Sequence, residues 1–221
     1  MSKKLGWSVC LLALALCSVP ATAGVLYSNL GSGTTVYNPS TGWAITGTGS
    51  IGTSFTTANE FQVTAGGNVS QIDIAVGFVA GEGNSFYMDI DADNGGQPGA
   101  VLKSFTGLSS STEFGQCCGL ITLTGISGLG LSTGTNYWMV MGPTNINDNT
   151  YDAWNWSNSA TGLEEYSLDG GSTWNSNGIV AQGAFDIIGG GGGTTPEPSS
   201  LLLLGTGLVG AFGAIRRKLN R

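Results

Sequence analysis

The sequence predicts an all-β protein whose body is an antiparallel, jelly-roll-like β-sandwich, and three observations predict it. Apolar and polar residues alternate with period two: Ile72, Ile74 and Val76 stand against Val69, Gln71 and Asp73, and Phe86, Met88 and Ile90 against Tyr87, Asp89 and Asp91. Clusters of Gly, Asn, Ser, Asp and Pro interrupt the alternation at short intervals, as in Asp93-Asn94-Gly95-Gly96-Gln97-Pro98-Gly99. No stretch of about twelve residues in the body follows the 3.6-residue helical period. Many short strands joined by such turns bury their apolar faces when two sheets close on each other.

In chain order, the first element is a signal peptide over 1–23. Lys3 and Lys4 precede an apolar stretch from Leu5 to Val19, which predicts a signal helix, and Ala21-Thr22-Ala23 supplies small residues at a cleavage site. Cleavage after Ala23 leaves Gly24 as the mature N-terminus, and export runs through the Sec machinery. Strands are expected at 25–29, 53–57, 60–64, 69–76, 86–91, 100–106, 120–124, 135–142, 150–156, 163–168 and 181–188, so the ectodomain spans 24–188. Gly189–Gly193 with Thr194 and Thr195 reads as a flexible linker, 189–195.

The tail, 196–221, has three parts. Pro196-Glu197-Pro198 stays extended, because proline fixes φ and removes a backbone donor. Leu201 to Ile215 is an apolar run of 15 residues, short beside the roughly 20 of a permanent span, which suits a transient membrane helix. Arg216, Arg217 and Lys218, with Arg221 behind, place the C-terminus on the cytoplasmic side. This order of parts resembles the PEP-CTERM sorting signal of Gram-negative bacteria. The resemblance implies recognition and removal of the tail by exosortase, a membrane-embedded cysteine transpeptidase. It also implies passage from the inner membrane to the cell surface, outer membrane or extracellular matrix.

Charge narrows what the body can do. Between residues 24 and 195 Lys103 is the only cation against thirteen carboxylates, a net charge of −12, whereas the whole chain carries −7. Nucleic-acid binding needs clustered Lys and Arg, so nucleic acid is excluded as a partner. The chain has no histidine, which excludes a Ser-His-Asp triad and His-ligated zinc. Enzymes run by carboxylates alone, mainly glycoside hydrolases, are what remains. Cys10 and Cys17 leave with the signal peptide, and the adjacent Cys117 and Cys118 form either a vicinal disulfide or two thiols.

Four motifs carry candidate sites. Trp154 and Trp156, two apart in a strand, share a face and make a candidate carbohydrate platform beside Tyr151, Asp152, Asn155 and Asn158, with core packing as the competing reading. Asp89, Asp91 and Asp93 alternate like a calcium loop, but Asn94 and Ala100 stand where an EF-hand has Gly and Glu, so a polar hairpin is favoured and calcium stays open. No other cofactor is expected. Glu164 and Glu165, adjacent and therefore on opposite strand faces, read as solvated surface carboxylates. Ser167-Leu168-Asp169-Gly170-Gly171-Ser172-Thr173-Trp174 is similar to the Asp-box of sialidases and reads as a structural hairpin, one copy without an arginine trio.

Leu26-Tyr27-Ser28-Asn29-Leu30, Gln97-Pro98-Gly99, Tyr137-Trp138 and Tyr166-Ser167-Leu168-Asp169 together resemble the secreted choice-of-anchor domains. That resemblance implies a β-sandwich ectodomain and no assigned reaction. The expected function is a non-catalytic surface or matrix protein associated with exopolysaccharide in a biofilm. The alternatives are a carbohydrate-binding module using Trp154 and Trp156, and a carboxylate-only glycosidase.

Overall fold

Alternation gives each strand one apolar face, and where two such sheets meet those faces form a core. A computed structural model describes residues 24–190. The signal peptide, most of the linker and the tail with its apolar run and basic end lie outside the described residues. Among the described residues no helix is long and apolar enough to cross a membrane.

The strands are β1 (Val25–Ser28), β2 (Asn38–Thr46), β3 (Thr56–Gln62), β4 (Gly67–Ile74), β5 (Val76–Gly81), β6 (Phe86–Asp93), β7 (Pro98–Leu108), β8 (Ile121–Thr124), β9 (Gly130–Leu131), β10 (Asn136–Pro143), β11 (Thr150–Ser167), β12 (Asn175–Gly183) and β13 (Phe185–Gly189). A single helical turn, α1 (Thr48–Ile51), follows β2. A five-stranded sheet has the order β1-β13-β4-β8, with β9 beside β4. The eight-stranded sheet runs β12-β11-β3-β10-β6-β7, with β2 and β5 both paired to β11. Every pairing between strands is antiparallel. One apolar cluster draws Leu26, Ile72, Ile74, Phe185 and Ile187 from the smaller sheet and Ile45, Phe61, Met88, Ile90, Met139 and Trp154 from the larger. Burying each large side chain contributes on the order of 1.5–3 kcal/mol, so this shared interior holds the sandwich together.

The 18-residue strand β11 organises the larger sheet. Its first part lies between β2 and β5, where Asp152 is opposite Ile45 and Phe78. Its second part lies between β12 and β3, where Glu164 is opposite Gly178 and Asn59. Two separate strands were expected here, because Ser157-Asn158-Ser159 reads as a turn. The strand continues instead through a bulge at the change of neighbours. There Ser157 Oγ donates to the Asn29 carbonyl (2.7 Å) and accepts from the Ser159 and Ala160 amides.

Other boundaries also differ from expectation. Segments 53–57 and 60–64 are joined in β3, and 181–188 is divided between β12 and β13. Strand β2 was not anticipated, since Pro39 and Gly42 look like turn residues. Gly42 is needed for close approach: a Cβ there would lie 2.7 Å from the Trp154 carbonyl oxygen. The sheet also reaches past the expected start of the linker at 189. Gly189 ends β13 and the Gly190 amide donates to the Asn68 carbonyl (2.8 Å).

Candidate functional site

A cavity of about 370 Å³ lies where β2, β3, β11 and β12 come together. Tyr166 and Glu164 are two apart on β11 and so present the same face. Thr57 reaches them from β3, Trp43 from β2 and Asn177 from β12, while Phe55 and Leu168 complete the lining. The walls are aromatic. The Phe55 and Tyr166 rings are 6.3 Å apart, tilted by 42°, and the Trp43 ring lies 5.1 Å from Trp156. Trp43 is held in place by its Nε1, which donates to the Ala181 carbonyl (2.9 Å).

Glu164 supplies the charge. Its Oε1 accepts from Thr57 Oγ1 (2.9 Å) and its Oε2 from Asn177 Nδ2 (2.6 Å). Burial raises its pKa above the ordinary carboxylate value, opposed by those two hydrogen bonds and assisted by the neighbouring Glu165 charge. It is the only acid in the lining.

Several expected sites are placed differently. Glu164 and Glu165 do point to opposite faces, but neither is solvated: they are 0% and 3% exposed, because both faces of β11 are covered at this point. Trp154 and Trp156 do not form a stacking platform. The Trp154 ring is 0% exposed, packs 5.7 Å from Phe185 and donates through Nε1 to the Ala184 carbonyl (3.2 Å). It also lies against Gly183, where any Cβ would strike the indole. Trp156 is half-buried against Trp43, with its Nε1 buried and unpaired. Asn155, which lies between them in sequence, is buried and donates to the Asn38 and Pro39 carbonyls.

Asp89, Asp91 and Asp93 do not converge as a calcium site. Among the described residues no three His, Cys, Asp or Glu side chains are grouped to hold a metal ion. Asp93 is occupied by its own turn, accepting from the Gly95 and Gly96 amides and from Trp138 Nε1 (2.9 Å). Asp91 is 5% exposed, and burial together with the Asp89 charge pushes it up to about 7.

The remaining acids and cysteines have structural settings. Asp152 is 0% exposed, neither of its oxygens has a hydrogen-bond partner, and burial pushes it up to about 7. Asp73 and Asp186 stand directly opposite each other on β4 and β13, and burial plus the Asp73 charge raise Asp186. Asp169 accepts from Ser167 Oγ (2.7 Å) and from the Thr173 amide (2.9 Å) and hydroxyl (2.8 Å), while Trp174 packs on the cluster of Ala58, Trp138 and Val140. Cys117 and Cys118 are joined by a disulfide in the loop before β8, with Cys118 packed near Tyr37, Ala75 and Ala184.

Sequence reasoning missed the cavity. Its lining comes from four distant segments with no local motif, and Trp43 belongs to the strand that was not anticipated. The spacing of Glu164 and Tyr166 on one strand face was the one available signal.

The described fold and cavity define an all-β sandwich domain with an aromatic-walled, carboxylate-bearing pocket. Residues 194–218 match the PEP-CTERM protein-sorting motif. The chain is therefore a sorted protein, and the motif implies export, delivery toward the cell surface and processing by exosortase. No curated protein matches the chain. Among solved structures it is similar to the cysteine protease and lectin-like domains of a surface layer associated protein of Clostridium difficile, at 14% identity and a TM-score of 0.40. That match covers 62% of this chain, which spans 32% of the other.

Proposed function

We propose that the mature protein is a non-catalytic cell-surface or matrix component that associates with the exopolysaccharide of a Gram-negative biofilm. The sorting motif at 194–218 carries this reading, because it supplies an address and no chemistry. The acidic body supports it: the whole chain has no histidine, and residues 24–190 have no arginine. In this reading the tail is cut by exosortase after transient residence in the inner membrane. We further read the sandwich as jelly-roll-like, since the chain crosses between sheets at β1–β2, β3–β4, β4–β5, β7–β8, β9–β10 and β12–β13.

Polysaccharide contact is assigned to the cavity rather than to Trp154. Aromatic walls accept the C–H faces of sugars, and Asn177 and Thr57 add hydrogen bonds. A glycosidase would need a second carboxyl roughly 5–9.5 Å from the first across one cleft. Glu164 has no such partner among the cavity-lining residues. The test is cosedimentation of the exported protein with its host's exopolysaccharide. Retention in the pellet, weakened in Tyr166→Ala, is expected. Full recovery in the supernatant, or turnover of a glycoside panel lost in Glu164→Gln, contradicts the reading.

A further inference from the structure

We propose that the Glu164 cavity selects a sugar bearing a free, protonated amine over neutral or acidic sugars. This rests on the polysaccharide reading and names the chemical class within it.

Three features of the cavity converge on a cation. Glu164 is a buried carboxylate with no positive group in the lining, and Lys103, the single cation between residues 24 and 190, reaches instead toward the Ser127 carbonyl (3.1 Å). A buried charge without a counter-charge is costly, and a ligand that supplies one removes that cost. Trp43, Phe55 and Tyr166 surround the same space, and aromatic faces attract ammonium groups through their quadrupoles. The Phe55 and Tyr166 rings, 6.3 Å apart and inclined, form two walls of such an enclosure.

Hydrogen bonding fits as well. Each carboxylate oxygen of Glu164 accepts one protein donor, Thr57 Oγ1 at Oε1 and Asn177 Nδ2 at Oε2, and each retains a lone pair. Thr57 is buried, whereas Asn177 is exposed. The Asn177 amide is therefore the displaceable cover: an incoming ammonium takes its place at Oε2, exchanging a neutral donor for a charged and stronger one. A uronic acid would bring a second negative charge to Glu164, and an N-acetylated amine, being a neutral amide, would bring no positive charge to meet it. The net charge of −12 on the body adds a long-range preference of the same sign.

The experiment titrates the exported protein with three oligosaccharides, following tryptophan fluorescence because Trp43 lines the cavity. The probes are a glucosamine oligomer, its fully N-acetylated counterpart and a uronic acid oligomer, all at pH 6. The glucosamine oligomer is expected to bind about ten-fold or more tightly than the N-acetylated one, in line with a desolvated cation–π and ion pair. Glu164→Gln should abolish that preference. Leu168→Lys, at an exposed position on the rim, should do the same without disturbing the core. Equal binding of the first two probes, or a preference that survives both variants, overturns charge selection while leaving the polysaccharide reading standing. If none of the three probes binds and the host's exopolysaccharide does not bind either, both readings fall together.

Discussion

The two ends of β11 hold aspartates in opposite circumstances. Near its start, Asp152 is fully buried with no hydrogen-bond partner and is pushed up to about 7. Just beyond its end, Asp169 is exposed and saturated with donors. The bond from Ser167 Oγ, followed by those from Thr173, brings it down to about 2. Acid strength here is set by surroundings: desolvation penalises the charged form at one end, and hydrogen bonds stabilise it at the other. One end of the strand is therefore built as core and the other as a solvated turn.

The sharpest way to break this contrast is to remove the core at the start of the strand. Trp154→Ala should cost about 3–5 kcal/mol, as expected for deleting a buried indole. A denaturant titration checks it, and a loss below about 1 kcal/mol would show that the ring is not core.

Next in size is Asp152→Leu. Because the folded-state pKa is raised, the stability linked to Asp152 is fully present below the ordinary value of 3.8 and declines as pH rises toward about 7. The buried carboxylate thus destabilises the fold most at pH 8, and Asp152→Leu should stabilise there by on the order of 2–4 kcal/mol. At pH 4 the gain from removing the charge should vanish. Asp91 is raised in the same direction, so the wild type itself should be more stable at pH 5 than at pH 8. Denaturation midpoints at the two pH values decide this, and a flat profile in the wild type would refute it.

The smallest effect is expected at the turn. Asp169→Ala removes the acceptor for Ser167 and Thr173 and should lower the melting temperature modestly, with the same decrement at pH 5 and pH 8. The folded-state pKa of Asp169 is depressed, so its stabilising contribution is present above the ordinary value and lost only as pH falls through about 2. A decrement that changes between pH 5 and pH 8 would mean that the turn is not what holds this carboxylate.

The same contrast explains what was legible in the sequence. Local devices were: period-two alternation marked β4 and β6, and the Ser167–Trp174 motif marked its own hairpin, because each is complete within a few residues. Properties that depend on what covers a face were not. Glu164 and Glu165 look like solvated acids, and their burial comes from β2, β3 and β12 elsewhere in the chain. Trp154 and Trp156 have the right spacing for a platform, but Phe185 and the strand ends around Gly183 close over the first. Strand β2 was hidden because Gly42 serves close approach to β11 rather than a turn, and Pro39 offers its carbonyl to Asn155 of that strand.

The account turns on the tail being a removable address for this acidic β body. Intact-mass analysis of the protein recovered from the outside of its host cells tests that directly. The predicted species begins at Gly24 and lacks Arg216 through Arg221. A surface-recovered protein that still carries the whole basic end would contradict it.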